Sequence, residues 1–463
     1  MREHWKTRAG FVLASVGSAA GLGDLWRFPW MTAENGGSAF LGAYLAALLL
    51  VGIPGLVAEF VIGRRARRNP VGALRALSGS RGWWRFGFLA LATAVLVLSF
   101  YSVVGGWVLR YLMASLTGAY FEAPQAYFAD ASFGLPATAF HALFLSAVAA
   151  VAAAGLRRGI ETANWLLVPV LLAVLIGLAA WGATRPGGAA GLRFFLHFDW
   201  NYLASHPAEV CKAAVGQAFF TLSIGAGSMI TYASYLGEER SLPADAVLIA
   251  GLDTLVGVLA GLAVFPLLFA QGIAPGEEGP GAIFVSVASA FAALPGGRLL
   301  GAVFFAATGA AALTSAVSIL EIPVSYLVDE HRLSRRRAIA GVSGLALLLG
   351  AACATLPRLF AFVAEGLADS LLSVGMCGFL LFLGWAIPQE ALAEVRTGAG
   401  RLGSSLGRAW LATARLFLPP LLLFLLISRG AAAAGFRLPP WASASLALVL
   451  ASAAIPALRK SRA

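Results

Sequence analysis

The chain has 463 residues, of which 59% are hydrophobic and only 12% charged, with a formal net charge of +11. Apolar segments long enough to cross a bilayer recur from one end to the other, which is the composition of a polytopic membrane protein. The basic residues are spread over short alternate loops rather than gathered in one solvated domain, so no nucleic-acid partner is expected and the lipid bilayer is the surrounding medium.

In chain order the candidate spans fall near residues 9–30, 38–63, 87–115, 138–156, 162–182, 209–235, 244–271, 293–328, 336–356, 366–388, 409–428 and 441–457. Strand-like alternation is absent, and exposed backbone polar groups are too costly in lipid, so helices are the expected way across. An all-α polytopic membrane protein follows. Arg2, Lys6 and Arg8 precede the first span, "RRARR" (64–68) follows the second, and Arg157 and Arg158 follow the fourth. "RLSRRR" (332–337) follows the eighth, Arg396, Arg401 and Arg408 follow the tenth, and "RKSR" (459–462) closes the chain. Every second loop is basic, which predicts both termini in the cytoplasm.

No cleavable signal is visible before the first span, which is expected to stay in the mature protein. Cys211, Cys353 and Cys377 lie in or near apolar spans without metal-like spacing, so neither a disulfide nor a zinc framework is expected. The stretches between spans leave no room for a soluble domain, which places the function inside the membrane. Intramembrane polar residues then carry the information. They concentrate at Ser15, Ser18 and Asp24 in the first span, Gln217, Thr221 and Ser223 in the sixth, Asp253 and Thr254 in the seventh, and Thr314, Ser315 and Ser318 in the eighth.

The first and sixth spans share a form, with small residues at mid-span ("GSAAGLGD" and "SIGAG") and helix-compatible sequence on both sides. Interrupted helices at matching positions of two halves point to an inverted-repeat transporter with its site at the bilayer midplane. Where a helix unwinds, freed carbonyls can bind a cation and the new N-terminus offers amides to an anion. Glycines that only allow close helix packing are the alternative; a carboxylate at Asp24 argues against it.

Five stretches carry a resemblance: "REHWKTRAGFVLASVGSAAGLGDLWRFPW" (2–30), "ENGGSAFLGAYL" (34–45), "VGIPGLVAEFVIGR" (51–64), "VGQAFFTLSIGAG" (215–227) and "ALTSAVSILEIPVSYLVDE" (312–330). Together they resemble bacterial members of the neurotransmitter:sodium symporter family, the LeuT-like amino-acid transporters, over nearly the whole chain. The resemblance implies a LeuT-like fold in a single transmembrane domain (1–463): a 5+5 inverted repeat with unwound first and sixth helices, about 12 transmembrane helices in all. The first repeat would be 9–182, the second 209–388, with two additional helices over 409–457. It also implies a location in the bacterial inner membrane, one or two sodium ions carried with an amino acid by alternating access, and a monomer or weak homodimer.

Carried over position by position, the resemblance assigns one sodium site to Gly17, Ala20, Ala311, Thr314 and Ser315, oxygen donors suited to a hard cation. The two hydroxyls could instead bond back to their own helix. The other sodium site falls on Ala19, Asp24, Thr221 and Asp253, where the family pattern has amides in place of the two aspartates. With a substrate carboxylate added, three carboxylates would surround one ion. Either one aspartate is protonated in part of the cycle, giving proton antiport, or it simply replaces the amide as a ligand. Chloride-dependent relatives place a serine at the position of Gly257, beside Tyr44, Gln217 and Thr221, so chloride dependence is not expected.

The substrate pocket would be lined by Val97, Tyr101, Phe220, Thr221, Ser223, Ala226, Ser318 and Ile319, with Ala19 and the unwound Gly21, Leu22 and Gly23. Glycine at position 21 is the amino-acid carriers' choice, and Ala226 in place of a bulkier residue favours a hydrophobic or aromatic amino acid. For the outer gate, Arg27 would meet Glu365 as first choice or Asp369 as second. For the inner gate, Arg2 and Asp329 would pair beside Trp5, Ser234 and Tyr235. An enzyme is not expected, because His4, His141, His197, His206 and His331 are scattered over loops and span ends. A passive channel, or a transporter-like sensor without flux, are the remaining alternatives.

Overall fold

Leucine, alanine, valine and phenylalanine fill the long segments, and all but two of the described ones close their backbone hydrogen bonds internally as helices; among the described residues there is no strand. The computed structural model describes residues 5, 7–78, 82–155, 162–237, 240–273, 283–433, 443–447 and 450. In chain order the elements that matter are α1 (Arg8–Ala19), α2 (Gly23–Glu34), α3 (Ser38–Ala66), α4 (Trp84–Thr117), α5 (Leu135–Ala153) and α6 (Asn164–Ala183). They continue with α7 (Pro207–Thr221), α8 (Ser228–Ala233), α9 (Leu242–Ala270), α10 (Gly297–His331), α11 (Arg335–Thr355), α12 (Pro357–Ala386), α13 (Pro388–Arg396) and α14 (Leu406–Ser428).

Among the described residues nine helices are long and apolar enough to cross a membrane, and α1 with α2, bent by 48°, make up to ten. The expected sixth span is the interrupted pair α7 and α8, and the expected last span, 441–457, lies mostly outside the described residues. The distribution of polarity is that of a protein solvated by lipid: Leu49 and Leu348 are 64% and 72% exposed, whereas Asp24, Gln217, Thr221 and Asp253 are fully buried.

Both interruptions have a local cause. At Ala20 the backbone leaves the helix with ψ +76°, and the Gly21 N–H turns to Ala19 O at 2.8 Å instead of to Gly17. Between α7 and α8 the chain takes positive φ at Ser223 (+51°), Gly225 (+98°) and Gly227 (+77°). Glycine adopts these dihedrals freely, and Gly225 is needed twice, since a Cβ there would strike the Leu372 carbonyl of α12. Three of the amides freed by the second break find one acceptor. Glu59 of α3, fully buried, accepts the N–H groups of Gly225, Met229 and Ile230 at 2.6, 3.1 and 3.2 Å. That satisfies the requirement that irregular backbone at membrane depth be paired within the protein.

Candidate functional site

The two breaks meet at the middle of the bundle, enclosed by α3, α4, α9, α10 and α12. At the first, the Leu22 N–H donates to Tyr101 Oη at 3.0 Å, and a hydroxyl that accepts one bond keeps a proton to donate. A Cβ at Gly21 would run into Tyr101 Oη and Ser315, and one at Gly23 would lie 3.0 Å from Phe220. Glycine at position 21 therefore follows from the close approach of α4 and α10, while Gly23 sits tightly against the Phe220 ring of α7.

A small cavity lies against this break, lined by Ala19, Gly23, Val97, Tyr101, Phe220, Ser223, Ala226, Ser315 and Ile319, and also by Ala94, Ser228 and Leu372. The last three did not emerge from the sequence. Of the expected pocket residues, Gly21, Leu22, Thr221 and Ser318 are not part of this lining. The free volume is about 30 Å³, room for about two waters. A larger ligand requires Phe220 or Leu372 to yield.

One flank of the break is a set of hydroxyls and carbonyls. Ser18 O accepts from Ser315 Oγ at 2.9 Å and from Ser223 Oγ at 3.1 Å, which ties α1 to both α10 and the second break. Ser18 Oγ donates to Ser318 Oγ at 2.7 Å, and Ser318 Oγ to Ser315 O at 2.7 Å. Thr314 Oγ1 bonds back to Ala311 O at 3.0 Å. Gly17 faces Thr314, and a Cβ there would overlap the carboxamide oxygen of Asn164 on α6, a neighbour the sequence reading did not single out. Ala20 and Ala311 are buried.

On the other flank Thr221 Oγ1 bonds Asp24 Oδ1 and lies 3.2 Å from Asp253 Oδ2. One hydroxyl proton cannot serve two carboxylates. Gln217 Nε2 donates to Gly23 O at 2.8 Å, which turns its own Oε1 inward. Asp24 Oδ2, Asp253 Oδ1 and Gln217 Oε1 are buried without a hydrogen-bond partner. Unpaired acceptor oxygens of this kind match what a hard cation binds, and the two carboxylates are also close enough to each other to share a proton. Gly257 faces the same cluster, since a Cβ there would stand 3.3 Å from Asp24 Oδ1, with Tyr44 nearby.

Arg27 Nη2 meets Asp369 Oδ2 at 2.8 Å while its guanidinium lies 4.5 Å above the Phe220 ring. Of the two carboxylates expected there, the second choice is the one in place; Glu365 stands one helical turn earlier, and its side chain is outside the described residues. At the opposite end Trp5 donates from Nε1 to Tyr232 O at 3.0 Å and packs on the rings of Tyr232 and Tyr235. Ser234 Oγ bonds Thr231 O at 2.6 Å. Asn69 Nδ2 reaches Asp329 Oδ2 at 3.5 Å, and Arg2 lies outside the described residues. The structure adds an ion pair here that was not foreseen. Arg335 holds buried Glu321 at 3.0 and 2.6 Å, and Tyr235 Oη donates to the same carboxylate at 3.1 Å. Glu59 and Glu321 are both carboxylates inside apolar spans, the signal that could have found them.

A helical bundle that faces lipid with leucine and breaks two of its helices around buried carboxylates and carbonyls is a LeuT-fold membrane transporter. The family model described as the sodium:neurotransmitter symporter family matches residues 2–130 and 131–364, and the chain belongs to that family. It is 34% identical over 434 residues to the uncharacterized sodium-dependent transporter YhdH of Bacillus subtilis, covering 90% of this chain and 95% of the relative. The sodium-dependent dopamine transporter of Bos taurus is 27% identical over 72% of this chain and 55% of its own length. Among solved structures, MhsT in complex with L-phenylalanine aligns with a TM-score of 0.83 at 37% identity, covering 93% of this chain and all of that one.

Proposed function

We propose that the chain couples sodium to the symport of a hydrophobic or aromatic amino acid by alternating access, with a proton carried in the opposite direction. The observation that carries the sodium reading is the set of buried acceptor oxygens at Asp24, Asp253 and Gln217 beside the unwound Gly21–Gly23. A cation there completes their coordination, and a zwitterion lying across the break can offer its carboxylate to the ion and to Tyr101 Oη. Ala19, Thr221, Asp24 and Asp253 form this first site, and Gly17, Ala20, Ala311, Thr314 and Ser315 the second, to which the serine and threonine hydroxyls turn when an ion competes for them.

The substrate class rests on the cavity wall. Val97, Ala226, Ile319 and Leu372 are apolar or small, and the solved relative bound to L-phenylalanine supports an amino acid of that kind. Proton antiport rests on Thr221 offering one proton to two carboxylates, which favours a second proton on the pair when sodium leaves. Chloride is not required in this reading, because Gly257 presents no hydroxyl to the cluster. The halves 9–182 and 209–388 act as the repeats, and the ends near Trp5 and Glu321 face the cytoplasm.

The test is a thermal-shift and scintillation-proximity screen of the proteinogenic amino acids in sodium against potassium, followed by flux into proteoliposomes. Binding of one amino-acid class only in sodium, with accumulation against its gradient, is the expected result. Sodium-indifferent binding, or ion currents without accumulation, would refute the proposal.

A further inference from the structure

Resting on the reading of the cavity as an amino-acid site, we infer that Ser228 selects substrates whose aromatic ring carries a hydrogen-bonding atom at its outer edge. The phenol hydroxyl of tyrosine and the indole N–H of tryptophan share that chemistry. Ser228 lines the cavity, is 1% exposed, and its Oγ has no hydrogen-bond partner. A buried hydroxyl without a partner is costly and uncommon in a folded interior. The other cavity hydroxyls are occupied: Ser223 and Ser315 both donate to Ser18 O, and Tyr101 Oη holds the Leu22 N–H.

Its position is at the far end from the charged groups of a bound zwitterion. Tyr101 and the Gly21–Gly23 break form one end of the cavity. Ala94, seven residues before Tyr101 on the same face of α4, lines the other, about 10 Å away along the helix. Gly227, next to Ser228, lies against Ala90, one further turn along α4. An amino acid anchored by its carboxylate at Tyr101 therefore points its side chain toward Ser228. Ala94, Ala226 and Leu372 around that end offer no polar side-chain atom, so an aliphatic chain or a plain phenyl ring leaves Ser228 Oγ unpaired. A phenol or an indole pairs it.

The experiment measures binding of phenylalanine, tyrosine and tryptophan to the full-length protein in sodium, for the wild type and for Ser228→Ala. The wild type is expected to favour tyrosine or tryptophan over phenylalanine by about three- to tenfold, the scale of one neutral hydrogen bond. Whichever of the two is favoured tells a phenol partner from an indole partner. Ser228→Ala is expected to remove that preference, read as the tyrosine-to-phenylalanine and tryptophan-to-phenylalanine affinity ratios, and the sodium-dependent phenylalanine binding that remains shows that the variant site is folded. Equal or stronger binding of phenylalanine by the wild type, or a preference that survives in Ser228→Ala, would overturn the inference and leave sodium-coupled amino-acid binding standing. Absence of sodium-dependent binding of every amino acid would overturn both.

Discussion

Arg27 and Asp369 meet at 2.8 Å across the mouth of the cavity, with the Arg27 guanidinium stacked on Phe220, the ring that covers the break in the first helix. Ion pair and lid are thus one unit, and opening the site on this side requires both to separate. Asp369→Asn removes the charge and leaves a largely buried guanidinium without its counter-ion, which disfavours the closed form. The expected result is faster labelling of a cysteine at Val97 by an impermeant thiol reagent, and uptake reduced about tenfold or more. The labelling belongs in a Cys211→Ser background, because Cys211 is exposed. Unchanged labelling would show that Phe220 alone closes the site.

Glu59 holds the second break open by accepting three backbone N–H groups. Glu59→Gln keeps the size but replaces one acceptor oxygen with an amide that faces donors. Leaving one or two buried N–H groups unpaired costs about 1–3 kcal/mol each. Glu59→Gln is therefore expected to lower the thermal transition in detergent and to weaken ligand binding. A transition within error of the wild type would mean that the segment finds other acceptors.

Gly21 is constrained by contact rather than by dihedral. Gly21→Ala drives a methyl group into Tyr101 Oη and Ser315, the two groups that hold the break from α4 and α10. Overpacking of this kind costs about 1–3 kcal/mol, and here it displaces the hydroxyl expected to meet the substrate. Ligand affinity should fall at least tenfold. Wild-type affinity in Gly21→Ala would show that the break lies outside the binding site.

Thr221 Oγ1 lies within reach of both Asp24 and Asp253, but its one proton can bond only one of them at a time. If a proton returns as sodium enters, acidifying the interior of a proteoliposome should stimulate sodium-driven uptake. Either Asp24→Asn or Asp253→Asn should abolish that stimulation while the uptake that remains still depends on sodium. Stimulation that persists in both variants would place the titrating group elsewhere and leave the two aspartates as plain ligands.

The fold was legible because its signals are local. Apolar runs mark the spans, and "GLGD" and "SIGAG" carry both the glycines that allow a break and the polar groups that use it. Glu365 was preferred to Asp369 without such a local signal: the two lie four residues apart on one helix, and only the fold brings Asp369 to Arg27. Glu59 was visible as a carboxylate in a span, but its partners lie 166 or more residues away, beyond any local pattern. Ser228 carried no signal at all, since a serine after glycine reads as the start of a helix, and only the cavity shows its hydroxyl unpaired.

The opposite end of the bundle predicts the opposite sign. Glu321 is buried on α10, and Arg335 at the start of α11 holds it with two hydrogen bonds while Tyr235, at the end of the second broken helix, holds it with a third. The three residues fasten the broken helix to α10 and α11, and the adjoining Trp5 fastens the first helix to Tyr232. Arg335→Gln leaves the Glu321 charge buried with a single donor, which disfavours closure at this end. A cysteine at Val97 should then become less reactive to the external reagent, the reverse of Asp369→Asn. In the double variant the two effects should largely cancel, because each acts on one equilibrium between outward-open and inward-open forms. If both single variants raise external labelling, the two closures do not belong to one alternating element, and the two ends open independently.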